Sequence, residues 1–273
     1  MTKDVKFMTI EFIDIGANLT HESFDYDLEK VISNATQAGL KKIIITATSV
    51  NETKKAIDYT ALNSSLLWAT AGVHPHNAKD ASDDFIEKLE NFSLNNKVVA
   101  IGECGLDYNR NFSSPSIQRS IFEKQIKLSL RTDLPLFLHQ RDAHEDFITI
   151  LKENTTNNIS GVTHCFTGNK NQLKDYLDLG LYIGITGWVC DQRRNEDLLE
   201  SIKYIPLNRL LIETDAPYLM PKHLEKELKS RRNEPKYIRE IAEFISHHKG
   251  IKIESFADIT KSNSEKLFGR LLD

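Results

Sequence analysis

Eight short apolar runs, separated by segments of helical spacing, predict an α/β protein built as a (β/α)8 (TIM) barrel. Three observations carry that expectation. The runs are rich in β-branched residues and bounded by Gly, Pro, Asn or Asp, as buried parallel strands are. The segments between them repeat apolar residues with helical period. No glycine-rich dinucleotide or phosphate-loop fingerprint follows the first run, which argues against an open doubly wound sheet.

"FIDIGANL", from Phe12 to Leu19, reads as the first strand. Side chains alternate along a strand, so Asp14, Gly16 and Asn18 are expected on one face. "YDLEKVISNATQAG" follows as a helix, with Leu28, Val31, Ile32 and Ala35 on one stripe and Gly39 as its stop. "KKIIITATS", "LLWATAGVHP" and "VVAIGECGLD" are strands two to four. "SPSIQRSIFEKQIKLSLR" starts at Pro115 and sets Ile117, Ile121, Ile126 and Leu130 along an apolar face. "LPLFLHQRD" and "GVTHCF" are strands five and six, and "NKNQLKDYLDLG" is a helix ending at Gly180. "LYIGITGWV" and "RLLIETDAPY" complete the eight. A polar loop, "PKHLEKELKSRRNEP", and helices from about Lys236 close the chain. Without a Pro- or Ser-rich linker, residues 12–273 read as one domain, preceded by an N-terminal extension at residues 1–11.

The totals narrow the function classes. A net charge of −4 over 273 residues gives no overall pull toward nucleic acid or anionic membrane, so phosphate binding must come from a local cluster. Three cysteines without a CxxC pair form a poor disulfide framework and suit a reducing compartment. No apolar run reaches the ~20 residues of a membrane span. "MTKDVKFMT" carries charge through what would be a signal core. The expected setting is the cytoplasm, without membrane contact.

Chemical groups gather at the C-terminal ends of the strands. These are Asp14 and Asn18, His74 and His76, Glu103 and Asp107, His139 with Arg141 and Asp142, His164, Thr186 and Trp188, and Glu213 with Asp215. In a (β/α)8 barrel these ends share one mouth, where active sites lie. Strand parity groups Glu103 with Ile101, Gly105 and Asp107. It groups His139 with Phe137 and Arg141, His164 with Val162 and Phe166, and Asp215 with Glu213. Two carboxylates and two imidazoles on one mouth suit a divalent metal. The alternative is that each is a strand-end polar group with an ordinary hydrogen bond.

The remaining candidates each carry two readings. His74-Pro75-His76 has spacing that lets both rings share a strand face, for metal or phosphate contact or for loop packing. Arg110, Arg141, Arg193, Arg194, Arg231 and Arg232 fall in loops past strand ends, as phosphate ligands or as solvated cations. Cys104 and Cys165 have the parity opposite to the neighbouring candidates and are expected to face the helices. Trp188 suits base stacking or a core role.

Seven stretches in series, "AGVHPH", "AIGECGLDYNRNF", "HQRDAHE", "HCFTG", "YIGITGWVCDQRR", "LLIETDAPYL" and "SRRNEP", resemble the TatD family of metal-dependent deoxyribonucleases. The resemblance runs from about Phe12 to about Gly269. It implies a barrel of the metal-dependent hydrolase type and 3′-to-5′ exonuclease action on single-stranded DNA, with RNA ends as a second substrate. By analogy it implies a part in DNA repair. It implies Glu103, His139, His164 and Asp215 as ligands to one or two divalent ions, Mg2+ first, Mn2+ or Zn2+ second. Glu103, Asp215 and His74 would be catalytic, with His74 near the scissile phosphate. His74, His76, Arg110, Arg141, Arg231 and Arg232 are then the expected substrate contacts, in a monomer. Two features depart from the pattern. Gln140 stands where the motif has Cys, and its side chain should face outward. The first strand reads Asp14, Gly16, Asn18 where the wider superfamily has Asp-x-His-x-His. A thinner metal site is expected from that loss, and histidines at 16 and 18 should tighten zinc binding. The rivals are a C–N or ester hydrolase on the same barrel and a noncatalytic nucleic-acid binder. The first lacks its strand-five lysine, since that position is His139, and the second lacks its basic surface.

Overall fold

The structure, a computed structural model, describes residues 10–155, 159–193, 195–228 and 230–272. Arg194 and residues 1–9 of the N-terminal extension lie outside the described residues. Eight strands follow one another: β1 Phe12–Ala17, β2 Leu40–Ile45, β3 Leu67–Ala71, β4 Val98–Asp107, β5 Leu136–Arg141, β6 Gly161–Thr163, β7 Tyr182–Ile185 and β8 Leu210–Ile212. Each is parallel to the next in order β1 to β8. Backbone bonds from Asp215 N–H to Gly16 O (2.8 Å) and from Asn18 N–H to Ala216 O (2.6 Å) close the ring at its mouth.

Two apolar layers hold the barrel. Ile13, Ile15, Ile44, Trp68, Phe137, Val162, Tyr182 and Leu211 fill the interior, and Phe268 and Leu271 plug its lower end. A larger layer lies between strands and helices, where Val31, Ile32 and Ala35 of helix Leu28–Gln37 are buried. Gly39 ends that helix region with φ +94, and Gly180 stops helix Lys170–Asp178 with φ +83. Among the described residues, no helix is long and apolar enough to cross a membrane.

Four local expectations change. On β1, Ile13 and Ile15 face the interior, so Asp14 does not, and a register shift between Asp14 and Ala17 separates Asp14 from Gly16 and Asn18. On β4, a register shift between Gly102 and Cys104 puts Ile101 in the outer layer, while Glu103 and Asp107 still face the mouth. Helix Pro115–Thr132 buries Ile121 and Ile126 as expected but exposes Ile117 and Leu130, with Phe122, Gln118 and Gln125 buried in their stead. The polar loop after β8 contains a helix, Lys222–Leu228.

Candidate active site

The loops after the strands surround a cleft of about 510 Å³ at the barrel mouth. Glu103 Oε1 is its centre. It meets His164 Nε2 at 2.6 Å, His139 Nδ1 at 2.9 Å and His74 Nε2 at 3.4 Å. Donor atoms of His74, Glu103 and His139 all lie within 4.8 Å of one another. Asp215 lines the same cleft, and its Oδ1 accepts from Asn18 Nδ2 at 2.9 Å. The structure thus brings the four expected ligands to one cleft and adds His74 to the donor cluster. Gly105 permits this closeness: a Cβ there would fall 1.9 Å from His139 O, so only glycine lets β4 and β5 come together here.

A second ring of carboxylates stands behind the imidazoles. Glu213 Oε2 lies 3.4 Å from His164 Nδ1, and Asp107 Oδ2 lies 3.4 Å from His139 Nε2. Those two imidazole nitrogens are buried without a hydrogen-bond partner among the described residues. A carboxylate at the far nitrogen of each ring is the arrangement that orients histidine toward a metal. Nitrogen and carboxylate donors in this number suit a borderline divalent ion, so the residues present fit the metal that the sequence implies. The spacings "ETD" and "ECGLD" place Glu213 and Asp107 at the mouth on the ligands' own face, as expected; their position behind the imidazoles is what the sequence does not show.

The charges follow from these contacts. Burial opposes ionisation of Glu103, but the charge of His164 and hydrogen bonds from His139 and His164 outweigh it and hold its carboxyl well below the usual range. Burial also opposes charge on His164, yet Glu103 and Glu213 raise it well above an ordinary imidazole. Burial pushes His74 down to about 4, leaving it neutral; with Nδ1 accepting from His76 N–H, the ring's proton sits on Nε2 and faces Glu103. Asp215 is pushed up to about 7 by burial, with Glu213 and Glu103 adding and His164 opposing.

β1 contributes by clamping β8. Asp14 Oδ1 accepts from Thr214 N–H at 2.9 Å and Asp14 Oδ2 from Thr214 Oγ1 at 2.5 Å, which fixes the residue between Glu213 and Asp215. Gly16 leaves no room for a side chain, because a Cβ would come 2.5 Å from Glu213 Oε2 and 3.0 Å from the Phe137 ring. A histidine at 16 would displace Glu213 before reaching a metal, so the tighter zinc binding expected from that change does not follow. Asp14→Ala strands two buried donors on Thr214, at about 1–3 kcal/mol each. Urea denaturation is expected to show about 2–4 kcal/mol lost. Unchanged stability would remove the clamp.

The other expected contacts divide. His74 and His76 do not share a strand face: they lie past β3, where His74 caps the 3₁₀ turn Pro75–Asp80 and its Nδ1 accepts from His76 N–H at 3.1 Å. His76 Nε2 meets Asp107 Oδ2 at 2.7 Å and so braces the carboxylate behind His139. Arg110 and Arg141 are exposed on the cleft wall. Arg231 and Arg232 do not line it. Arg232 is a tether: it donates to both Asp27 oxygens at 2.8 and 2.7 Å, to Glu234 at 3.0 Å and to Ser23 O at 2.8 Å. Arg231 is 91% exposed and lies 3.3 Å from Glu225. Arg193 pairs with Asp191 at 2.6 Å.

Cys104 faces the helices, but Cys165 does not. With φ +47 it turns into the cleft, its N–H donating to Glu213 Oε1 at 2.6 Å. Phe166 lies in the outer layer, against parity with His164. Gln140, expected to face outward, donates to Tyr176 Oη at 2.7 Å but also lines the cleft. The buried glutamines hold strand ends. Gln125 brackets the Val73 backbone beside His74, and Gln118 brackets that of Asp107. Two amides seven residues apart on an apolar helix face were the available signal.

The family pattern described as TatD related DNase matches residues 13–269. A 3′-5′ ssDNA/RNA exonuclease TatD from Edwardsiella piscicida is 43% identical over 256 residues, covering 94% of this chain and 98% of the relative. A TatD family hydrolase from Entamoeba histolytica superposes with TM-score 0.86 at 34% identity, covering 96% of this chain and 99% of that one. A TatD homologue from Escherichia coli gives TM-score 0.85 at 28% identity, over 96% of this chain and 99% of that one. With the eight-stranded barrel and the Glu103 cluster at its mouth, these matches lead to one conclusion: this chain belongs to the TatD related DNase family.

Proposed function

We propose that this protein is a divalent-metal-dependent nuclease that removes nucleotides from 3′ ends of single-stranded DNA and RNA. The observation that carries the reading is the meeting of three imidazoles on Glu103 Oε1, with a carboxylate behind two of them, in a chain of this family. Its relatives are named 3′-5′ ssDNA/RNA exonucleases. Glu103, His139, His164 and Asp215 would hold the ion, with His74 beside them. When bound, the ion supplies Lewis acidity toward a phosphate oxygen and a more acidic water. Magnesium is the expected ion from the family resemblance. The imidazole donors equally suit manganese or zinc.

The chain's own groups account for the rest. Without the ion, burial raises Asp215 to about 7, so this cleft carboxylate takes up a proton readily. Asn18 fixes its orientation by bonding Oδ1. Asp215 then takes the proton of the attacking water as the new phosphorus–oxygen bond forms and the bond to the leaving sugar oxygen breaks, that oxygen taking a proton from solvent. Arg110 and Arg141 bring positive charge to the cleft wall to offset charge gathering on phosphate. The groups named above all lie in this chain, so the proposed site needs no residue from a second copy. Three free thiols support a reducing, cytoplasmic setting.

Chelator-stripped protein reloaded with Mg2+, Mn2+ or Zn2+ tests the reading on single-stranded DNA, RNA and a panel of small esters. Mononucleotide release with Mg2+ or Mn2+ and none after chelation is expected. Ester hydrolysis without nucleotide release would reject it in favour of the C–N or ester hydrolase class, and binding without turnover would favour a noncatalytic binder.

A further inference from the structure

We propose that the cavity beside the catalytic cleft seats the terminal nucleoside of the strand, and that Asp142 and Glu145 at its edge select a hydroxyl end over a phosphorylated one. The inference rests on the nuclease reading above. The cavity measures about 640 Å³, within the range that encloses a small organic group. It shares Gln140, Arg141, His164, Thr167 and Trp188 with the catalytic cleft, so the two spaces form one continuous surface.

Charge decides which part of a substrate each space takes. Among the described residues lining the cavity, Arg141 is the only lysine or arginine, and it stands on the shared wall. A phosphate drawn to Arg141 lies between the two spaces, as a scissile phosphate lies between two nucleosides. Beyond Arg141 the lining turns acidic, with Asp142, Glu145 and Asp146. Arg119 offsets Asp146 at 2.9 Å. Asp142 and Glu145 are exposed, and Asp142 Oδ2 accepts from the neutral Asn109 amide at 2.7 Å. These two carboxylates repel a further phosphate and accept a hydrogen bond from a free hydroxyl. The acidic edge thus favours an uncharged nucleoside over a continuing phosphate backbone, and a phosphodiesterase with such an edge engages strands by their ends.

The test compares matched single-stranded oligonucleotides ending in 3′-hydroxyl or 3′-phosphate. Cleavage is read with the metal-loaded enzyme, and binding by fluorescence anisotropy in chelator. Wild type is expected to favour the hydroxyl end in both readouts by at least about tenfold. The exposed double variant D142N/E145Q should narrow that preference to within about threefold, while the distant control D83N/E87Q should leave it intact. Equal use of both ends by wild type overturns the inference and leaves the nuclease reading standing. An equal effect of the two double variants also overturns it, as a matter of net charge alone. Absence of any phosphodiester cleavage by wild type overturns both.

Discussion

Glu103→Gln is expected to leave the barrel folded while lowering nuclease turnover by about three orders of magnitude, because an ion's several kcal/mol of charge stabilisation converts at 1.36 kcal/mol per tenfold. The change keeps the side chain's shape and removes the one charge on which His74, His139 and His164 converge. The amide offers a single neutral oxygen, and its nitrogen faces ring nitrogens that serve as donors. Divalent-ion binding, followed by calorimetry on stripped protein, should weaken by at least about a hundredfold, since even the outer partners of metal ligands matter by 10–100-fold. The fold should survive for a reason visible in the contacts. His164 is protonated because of Glu103 and Glu213, so losing Glu103 lets the ring shed its proton instead of stranding a buried charge. Metal affinity within tenfold of wild type would show that Glu103 is not a ligand.

The residues that were legible in the sequence share one property: their positions follow from regular geometry. Strands β1 to β8 announce themselves because parallel strands buried on both faces are nearly continuous apolar runs. Glu103, His139, His164 and Asp215 are legible because a polar group at the end of such a run has no place in either core layer. Where backbone regularity fails, the reading fails with it. The register shift at Gly102 and Cys104 reverses the parity of Ile101, and φ +47 at Cys165 turns a thiol expected among helices into the cleft. Period-two counting carries no trace of either. Arg232 was misread for another reason. Its partner Asp27 stands near the opposite end of the chain, and a cation's partner is a property of the fold, not of its neighbours in sequence. Asp14 lies between the two cases. Its place at the end of β1 was legible, but its hold on Thr214 depends on β1 meeting β8.

Asp215→Asn is expected to trade activity for stability, and that pairing separates a catalytic carboxylate from a structural one. Turnover should fall by about 10²–10⁴-fold, the worth of a positioned general base, with Asn18 still able to donate to the asparagine oxygen. Stability of the metal-free protein should move the other way. Burial raises Asp215 to about 7 from the ordinary 3.8, so the folded protein holds a proton that the unfolded chain has already released between those pH values. The unfolded state then binds fewer protons, and stability falls as pH rises through that window. Below pH 4 this contribution is fully present, and above about pH 7 it is lost. Asparagine removes the titration. The variant should therefore exceed wild type by about 1–3 kcal/mol at pH 8, with the gap closing as pH falls toward 4. Urea denaturation of chelated samples across that range reads the difference directly. A variant less stable than wild type at pH 8 would mean that the ionised carboxylate is held by partners that favour its charge. Asp215 would then belong to the scaffold, as the tether Arg232 does, and the proton acceptor would have to be sought elsewhere in the cleft.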